Sequence, residues 1–390
     1  MHVPAAPSVT RDSFSPPTPA DPPHCLHIFP SFGIGGIQVQ IASVLNHLGR
    51  RYRHTIIALD GVFDARPRLA AALDVTLLPI PHRKEHRIET ILAFGRALRR
   101  LRPDLLLTYN WGAAEWAFMN TVSCRCRHIH SEHGFGPDEA DRQVLRRVLF
   151  RRVALAGATR VVVPSLTLFK LASEHWRIPR AKLLHIPNGV DVGRFAAGPA
   201  SPGIPGLVPA SGGPLLGAIA PLRPEKNLGR LLRCFARVPR RLGARLAVIG
   251  DGPERPHLQQ LATALGLDHR VVFVGSIDAP ERVLRGLDVF AISSDTEQMP
   301  MAVLEAMAAG RAIVGVDVGD VKAMVSPENR PFIMPKTDEA ALSNAMTQLL
   351  ESSRLRTRLG SANHDHVRRH YDQQRTFTAY EALFEAVAPR

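Results

Sequence analysis

Residues 293–320, SSDTEQMPMAVLEAMAAGRAIVGVDVGD, decide how the rest of the chain is read. The apolar run Leu287 to Ile292 before them reads as a buried strand, and Pro300 suits the first turn of a helix, where its missing N–H costs nothing. A loop carrying Glu297 lies between the two. In an open α/β sheet that loop falls in the crevice beyond a strand's carboxyl end, and free N–H groups around Met301, Ala302 and Val303 point outward to receive a phosphate. Glu305, just over one turn further in, is placed to accept paired hydrogen bonds from a ribose diol. Two glutamates at this spacing are common by chance, and either would equally complement a helix dipole. Gly310, Gly315 and Gly319, with Ala306, Ala308 and Ala309, add the close backbone approach and tight helix packing that favour a site.

Composition sets the frame around that block. With 390 residues, 45% of them hydrophobic, the chain is long enough for two domains with a core each, and α/β is the default class. Lys and Arg number 49 against 35 Asp and Glu, a net charge of +14, so the expected partner is anionic: nucleotide, lipid phosphate or membrane surface. Nucleic acid is not expected, because aromatics are 6% and no basic–aromatic module is present. No apolar run reaches the roughly 18 to 20 residues that span a bilayer, and the leader, residues 1–23, lacks a hydrophobic signal core. The chain is therefore expected in the cytoplasm, with a disordered leader rich in Pro, Ser and Ala. Cys25, Cys124, Cys126 and Cys234 are too scattered for a disulfide framework or a structural zinc site, and read as free thiols.

Short strands alternate with helical patterns along the chain. Cys25 to Phe29 opens a Rossmann-like unit, followed by Thr55 to Leu59, Val75 to Pro79, Leu105 to Tyr109, Arg127 to His130 and Arg160 to Val163. A Gly- and Pro-dense linker covers residues 196–213. A second alternation starts at Leu215 to Ala220 and continues with Arg245 to Ile249, Val271 to Val274, Leu287 to Ile292 and Ala312 to Val316. The expected division is a first domain over 24–195, a second over 214–370, and a closing helix within 371–390.

Several clusters carry potential chemistry. Gly33, Gly35 and Gly36 let backbone approach a ligand phosphate at a helix N-terminus, but Gln38 stands where a dinucleotide fingerprint needs its third glycine, which disfavours a dehydrogenase despite Asp60 after the next strand. In LLGAIAPLRPEKN, Arg223 and Lys226 follow a strand and would neutralise a diphosphate and its leaving group. His128 and His130 share one face of a strand while His133 lies past its end, so a joint zinc site is not expected. Two basic amphipathic stretches, 82–103 and 139–156, set Arg83, Lys84, Arg87, Arg96, Arg99 and Arg100, and Arg142, Arg146, Arg147, Arg151 and Arg152, around apolar helix positions. Either suits an anionic lipid surface or a core-packed helix with a solvated basic face.

The block around Glu297 and Glu305 resembles the donor-site signature of retaining, nucleotide-sugar-dependent glycosyltransferases of family 4, and the resemblance runs from about His24 to the end. It implies the GT-B fold: α/β, two facing Rossmann-like domains with an interdomain cleft, and a last helix crossing back to the first domain. It implies transfer of a sugar, hexosyl or related, from a nucleoside-diphosphate donor to a saccharide or lipid-linked acceptor hydroxyl with retention, in bacterial polysaccharide or glycolipid synthesis. Neither metal nor cofactor is implied. Carried over residue by residue, Lys226 is the phosphate lysine, Glu297 contacts the sugar, Glu305 the ribose, and His133 the transferring sugar and its phosphate, with His130 in reserve. Gly35 and Gly36 line the cleft near the diphosphate, and Val274 and Ile277 pack where the base lies. Ile186 to Phe195 matches a loop closing the first domain, with Asp191 suited to capping. Two positions depart from the family pattern: Gln298 replaces a glycine, and Pro221 stands where the arginine is usual, with Arg223 two residues on. A nucleotide-sugar epimerase of similar fold and a non-catalytic nucleotide-sugar-binding protein are the alternatives. A glycoside hydrolase would need both carboxylates to flank a sugar ring, and one is already given to the nucleotide.

Overall fold

Runs such as Leu105–Tyr109 and Ala312–Val316 are apolar on both faces, so they form strands only where helices cover a sheet on both sides. The computed structural model describes residues 21–80, 87–135, 137–139, 143–196 and 213–388. Most of the leader, most of the linker, and Arg83, Lys84 and Arg142 lie outside the described residues.

The first sheet contains β1 (His24–Phe29), β2 (Arg53–Ala58), β3 (Val75–Pro79), β4 (Leu105–Tyr109), β5 (Arg127–Ser131), β6 (Arg160–Val163) and β7 (Leu183–His185). Its order is β3-β2-β1-β4-β5-β6-β7, every pair parallel. The second contains β8 (Leu215–Ile219), β9 (Arg245–Ile249), β10 (Val271–Gly275), β11 (Val289–Ile292), β12 (Ala312–Val316) and β13 (Ile333–Met334), in the order β10-β9-β8-β11-β12-β13. Each sheet reverses its winding once, between β1 and β4 and between β8 and β11, and ligands of such sheets bind at the carboxyl ends beside that reversal. These are the two Rossmann-like α/β domains expected from the alternation.

Two edge strands escaped the sequence pattern. β7 and β13 have three and two residues, too few to show a period. The run from Leu287 also starts later than expected: Leu287 N–H closes a turn onto Leu284 O, Asp288 accepts Leu215 N–H through its side chain at 2.8 Å, and β11 begins at Val289.

Two segments tie the domains together. In the short helix Val192–Ala196, Val192 and Phe195 pack into the second domain's core, and Asp191 Oδ1 caps it by accepting Arg194 N–H at 3.0 Å. In the helix Gln373–Val387, Phe377, Tyr380, Leu383, Phe384 and Val387 join Ile41, Val44 and Leu45 in a core of the first domain.

Candidate functional site

The loop after β8 and the loop after β11 meet at the second sheet's winding reversal. Lys226 Nζ donates to Glu297 Oε1 at 2.6 Å, and Ser294 Oγ donates to the same oxygen at 2.7 Å. Asp295 knits the loops together: its carboxylate accepts from Arg230 Nη2 at 2.7 Å and from Asn227 Nδ2, while its own N–H donates to Glu225 O. Asn227 sits at φ 40° and caps the helix Leu228–Ala236 through its side chain. Glycine is required behind these loops. A Cβ on Gly250, at φ +132°, would lie 1.9 Å from Ala220 O, so only glycine lets the β9 loop brace residues 220–222. Sequence reading missed Ser294, Asn227, Arg230 and Asp295; their only advance signal is polar density beside a strand end.

Glu305 lies half-buried on the helix Met301–Ala308, and its carboxylate makes no hydrogen bond or ion pair among the described residues. Burial pushes its carboxyl up to about 7, with Glu281 pushing the same way and Arg194 and Arg68 opposing. The donor set at this helix start is smaller than expected. Val303 N–H turns back onto Pro300 O at 3.2 Å, so Met301 and Ala302 keep the first N–H groups free of intrahelical partners. Pro300 is the capping residue and the helix begins one position later. Val274 and Ile277 are half-buried against the same core. Arg223 is exposed and not engaged by Glu297, unlike Lys226.

The first domain faces this site with its glycine loop and the end of β5. Gly35 precedes the helix Gly36–Leu48, and a Cβ on Gly36 would come within 3.3 Å of Met301 Cγ, so the two helix starts oppose each other across the cleft. His128 Nε2 and His130 Nδ1 both hydrogen-bond Thr108 Oγ1 at 2.8 Å, which confirms that they share a face and engages both in the sheet. His133 lies apart, its backbone N–H donating to Asn110 Oδ1 at 2.8 Å and its Nε2 buried with no hydrogen-bond partner among the described residues. Burial, then the nearby His130, lowers His133 to about 3, which leaves it a neutral imidazole near pH 7.

The arginine-rich segment before β6 differs from the expected basic surface. In the helix Leu145–Ala154, Arg151 is fully buried, paired with Glu139 through two bonds of 3.1 and 2.9 Å, and set over Trp111, Trp176 and Phe135 at 4.8, 4.9 and 5.3 Å. A second buried carboxylate, Glu132, stands 3.7 Å from its Nε. Arg147 pairs with Asp138 and Glu139, and Arg152 donates to His175 O. Of the apolar positions of this stretch, Val148 is buried but Leu145 and Leu149 are exposed at 70% and 49%, and Val153 beside them at 54%, so the core-packed reading does not hold for that edge. Beside this helix a cavity of about 840 Å³ opens at the carboxyl ends of β1, β2 and β4, lined by Pro30, Asp60, Trp111, Arg146 and Phe150.

Comparison with known proteins agrees with this architecture. Residues 34–194 match the family model described as Glycosyltransferase Family 4, and residues 206–366 the model for Glycosyl transferases group 1. The chain is 27% identical over 349 residues to a 2-deoxystreptamine N-acetyl-D-glucosaminyltransferase of Streptomyces fradiae, covering 80% of this chain and 82% of that one. It is 25% identical to an N-acetyl-alpha-D-glucosaminyl L-malate synthase of Bacillus anthracis, over 43% of this chain and only 44% of that protein. Among solved structures, Anabaena Alr3699/HepE in complex with UDP-glucose superposes with a TM-score of 0.78 at 15% identity, over 93% of this chain and 99% of that one. Both halves of the chain carry a glycosyltransferase domain, and together they make it a glycosyltransferase of the GT-B fold.

Proposed function

We propose that the chain transfers a glycosyl unit from a nucleoside-diphosphate sugar to an acceptor hydroxyl with retention of configuration, in bacterial polysaccharide or glycolipid synthesis, and without a metal. The observation that carries this reading is the joining of Lys226 to Glu297 at 2.6 Å, next to a helix start whose Glu305 has no hydrogen-bond or ion-pair partner among the described residues. Glu305 would accept the ribose hydroxyls. Met301 and Ala302 N–H, Lys226 and Arg223 would neutralise the diphosphate, most strongly as it departs from the anomeric carbon. Glu297 would hold the sugar hydroxyls, and neutral His133 would hydrogen-bond the reacting end. The acceptor proton would pass to the departing phosphate oxygen, so no side chain is assigned as base. The UDP-glucose bound to the Anabaena structure and the glucosaminyl transfer named for the Streptomyces relative support a nucleotide-sugar donor. These relatives favour a transferase over an epimerase or a binding protein.

The cavity beside Trp111 would take the acceptor, with a sugar face on the indole and hydroxyls on Asp60. Its neighbour is the exposed edge Leu145, Leu149 and Val153, with exposed Arg146 alongside. That pairing supports peripheral attachment to an anionic cytoplasmic membrane face and a lipid-linked acceptor, with the apolar edge rather than Arg151 making the contact. Among the described residues no helix is long and apolar enough to cross a membrane.

A thermal-shift screen of UDP-, GDP-, ADP- and dTDP-sugars identifies the donor, and labelled-sugar transfer in EDTA with NMR of the product's anomeric proton tests the reaction. Loss of transfer in EDTA with recovery in magnesium, or an inverted product, would overturn the corresponding part. Sedimentation with vesicles tests attachment: binding to anionic and not neutral vesicles, reversed by salt, is expected, and equal partition onto both refutes it.

A further inference from the structure

The second domain's loop beyond Glu297 is held by residues of the first domain. Gln298, which departs from the glycine of the resembled pattern, is buried and accepts Ser165 Oγ–H at 2.9 Å through its side-chain oxygen. The next residue, Met299, accepts Asn188 Nδ2–H at 2.8 Å on its carbonyl, and Asn188 N–H points at its sulfur at 3.2 Å. Asp320, whose N–H donates to Gln298 O, sends its carboxylate across to the start of the helix Leu166–Glu174. Oδ2 accepts Leu166 N–H at 2.6 Å, and Oδ1 accepts Thr167 N–H at 3.1 Å and Thr167 Oγ1–H at 2.6 Å. Ser165 Oγ takes the next donor, Leu168 N–H, at 3.0 Å. A helix of one domain is thus capped jointly by its own serine and by an aspartate of the other.

We propose that Ser165, Asn188, Gln298 and Asp320 form an interdomain clasp whose closing seats Glu297, so that the sugar-handling carboxylate reaches its working position only when the cleft is shut. The near end of the Glu297 loop is fixed within the second domain through Asp295, whereas at the far end the Gln298 side chain has its partner, Ser165, in the first domain and Met299 O accepts from Asn188, on the segment that leaves the first domain to cross to the second. Gly319, at φ +55°, brings the Asp320 turn so close that a Cβ there would lie 2.2 Å from Glu297 O, which couples the aspartate to the glutamate through backbone. The Asp320 contacts are exposed and can exchange with water, whereas those of Gln298 and Asn188 are buried and form with full strength only as the cleft dries. A clasp of that mixed kind closes on substrate and still opens for product. The assignment of Glu297 to the sugar rests on the transferase reading; the clasp itself does not.

The test compares Asp320→Ala, Asp320→Glu, Gln298→Gly and Thr167→Val with the parent by small-angle scattering, calorimetric titration with UDP and GDP, and steady-state transfer. Asp320→Ala, Gln298→Gly and Thr167→Val should raise the radius of gyration measured with saturating UDP or GDP and lower kcat, tenfold or more for Asp320→Ala, with nucleotide affinity within twofold of the parent. Asp320→Glu should recover most of both. Thr167→Val keeps the side-chain volume on the first-domain side and carries the test if Asp320→Ala does not fold. Parent-like scattering and kcat in all four variants would overturn the clasp. A parent without any transfer activity would remove the transferase reading instead, while scattering still decides whether the clasp holds the domains.

Discussion

Glu305 combines a binding role with a cost to the fold. Its carboxyl is raised from 4.5 to about 7, so the folded chain holds that proton more tightly than the unfolded chain does. The penalty is absent below about pH 4.5, grows as pH rises toward 7, and is fully present above it. Glu305→Gln should therefore melt higher than the parent at pH 8 and at the same temperature at pH 4.5, while nucleotide affinity drops about tenfold at pH 8. Melting curves and calorimetric titration at the two pH values check both halves. Donor affinity of the parent should itself rise with pH through about 7, because a ribose diol needs the carboxylate as acceptor. The second residue-scale expectation concerns Lys226→Ala, which leaves Glu297 with Ser294 alone and removes a diphosphate charge. Turnover should fall by about a hundredfold with a smaller change in donor KM, measured by initial rates. Glu297 and Glu305 stood out because they share one short stretch beyond a strand end, and Lys226 because it follows another strand and matches the lysine of the resembled family; the contact between Lys226 and Glu297 is the structure's addition, and their roles belong to the proposal. Asn188 and Asp320 did not stand out, since their partners lie 111 and 154 positions away and no local pattern reports such a contact.

At the scale of the element, residues 143–156 show how a period can name a helix and leave open which of its faces is buried. The helix formed and Val148 is buried, yet Leu145 and Leu149 turn outward and Arg151 turns in. The physical reason lies in other elements: Trp111, Phe135 and Trp176 build a hole whose wall carries Glu139 and Glu132, and that hole favours a planar cation over a leucine. Arg151→Met would leave two buried carboxylates without their main counter-charge. We expect it to lower unfolding free energy by about 3 to 5 kcal/mol, read from urea denaturation, whereas Leu149→Ala should change it by no more than about 0.5 kcal/mol. The same Leu149→Ala, at an exposed position, should weaken vesicle binding if the apolar edge is the lipid contact.

Over the whole molecule, the two matched sheets were readable because most central strands, such as β4, β8, β11 and β12, are short, largely apolar runs between helical patterns, which fixes class and layer order. The crossing of the last helix was implied only by resemblance; its apolar stripe shows that it packs, not where. In the structure that stripe completes the first domain, with Phe384 edge-on to Tyr52 at 5.2 Å. Trp111, Trp116 and Trp176, all three tryptophans of the chain, lie in that domain, so their emission reports on it alone. Truncation after residue 372 should shift tryptophan emission to the red and abolish its cooperative thermal transition.

The helix Gln373–Val387 also sets an order of events during synthesis. Residues 24–195 leave the ribosome well before Phe377, Tyr380 and Phe384 have been made, a gap of roughly 10 to 40 s at typical elongation rates. Through that interval Ile41, Val44 and Leu45 have no cover from the missing helix, while the second domain is still being made, its core being complete only once Leu359 and Val367 have been added just ahead of that helix. The domain that is translated first is therefore the last to be finished, and a nascent chain stalled within the second domain exposes a defined apolar surface on which a chaperone can act.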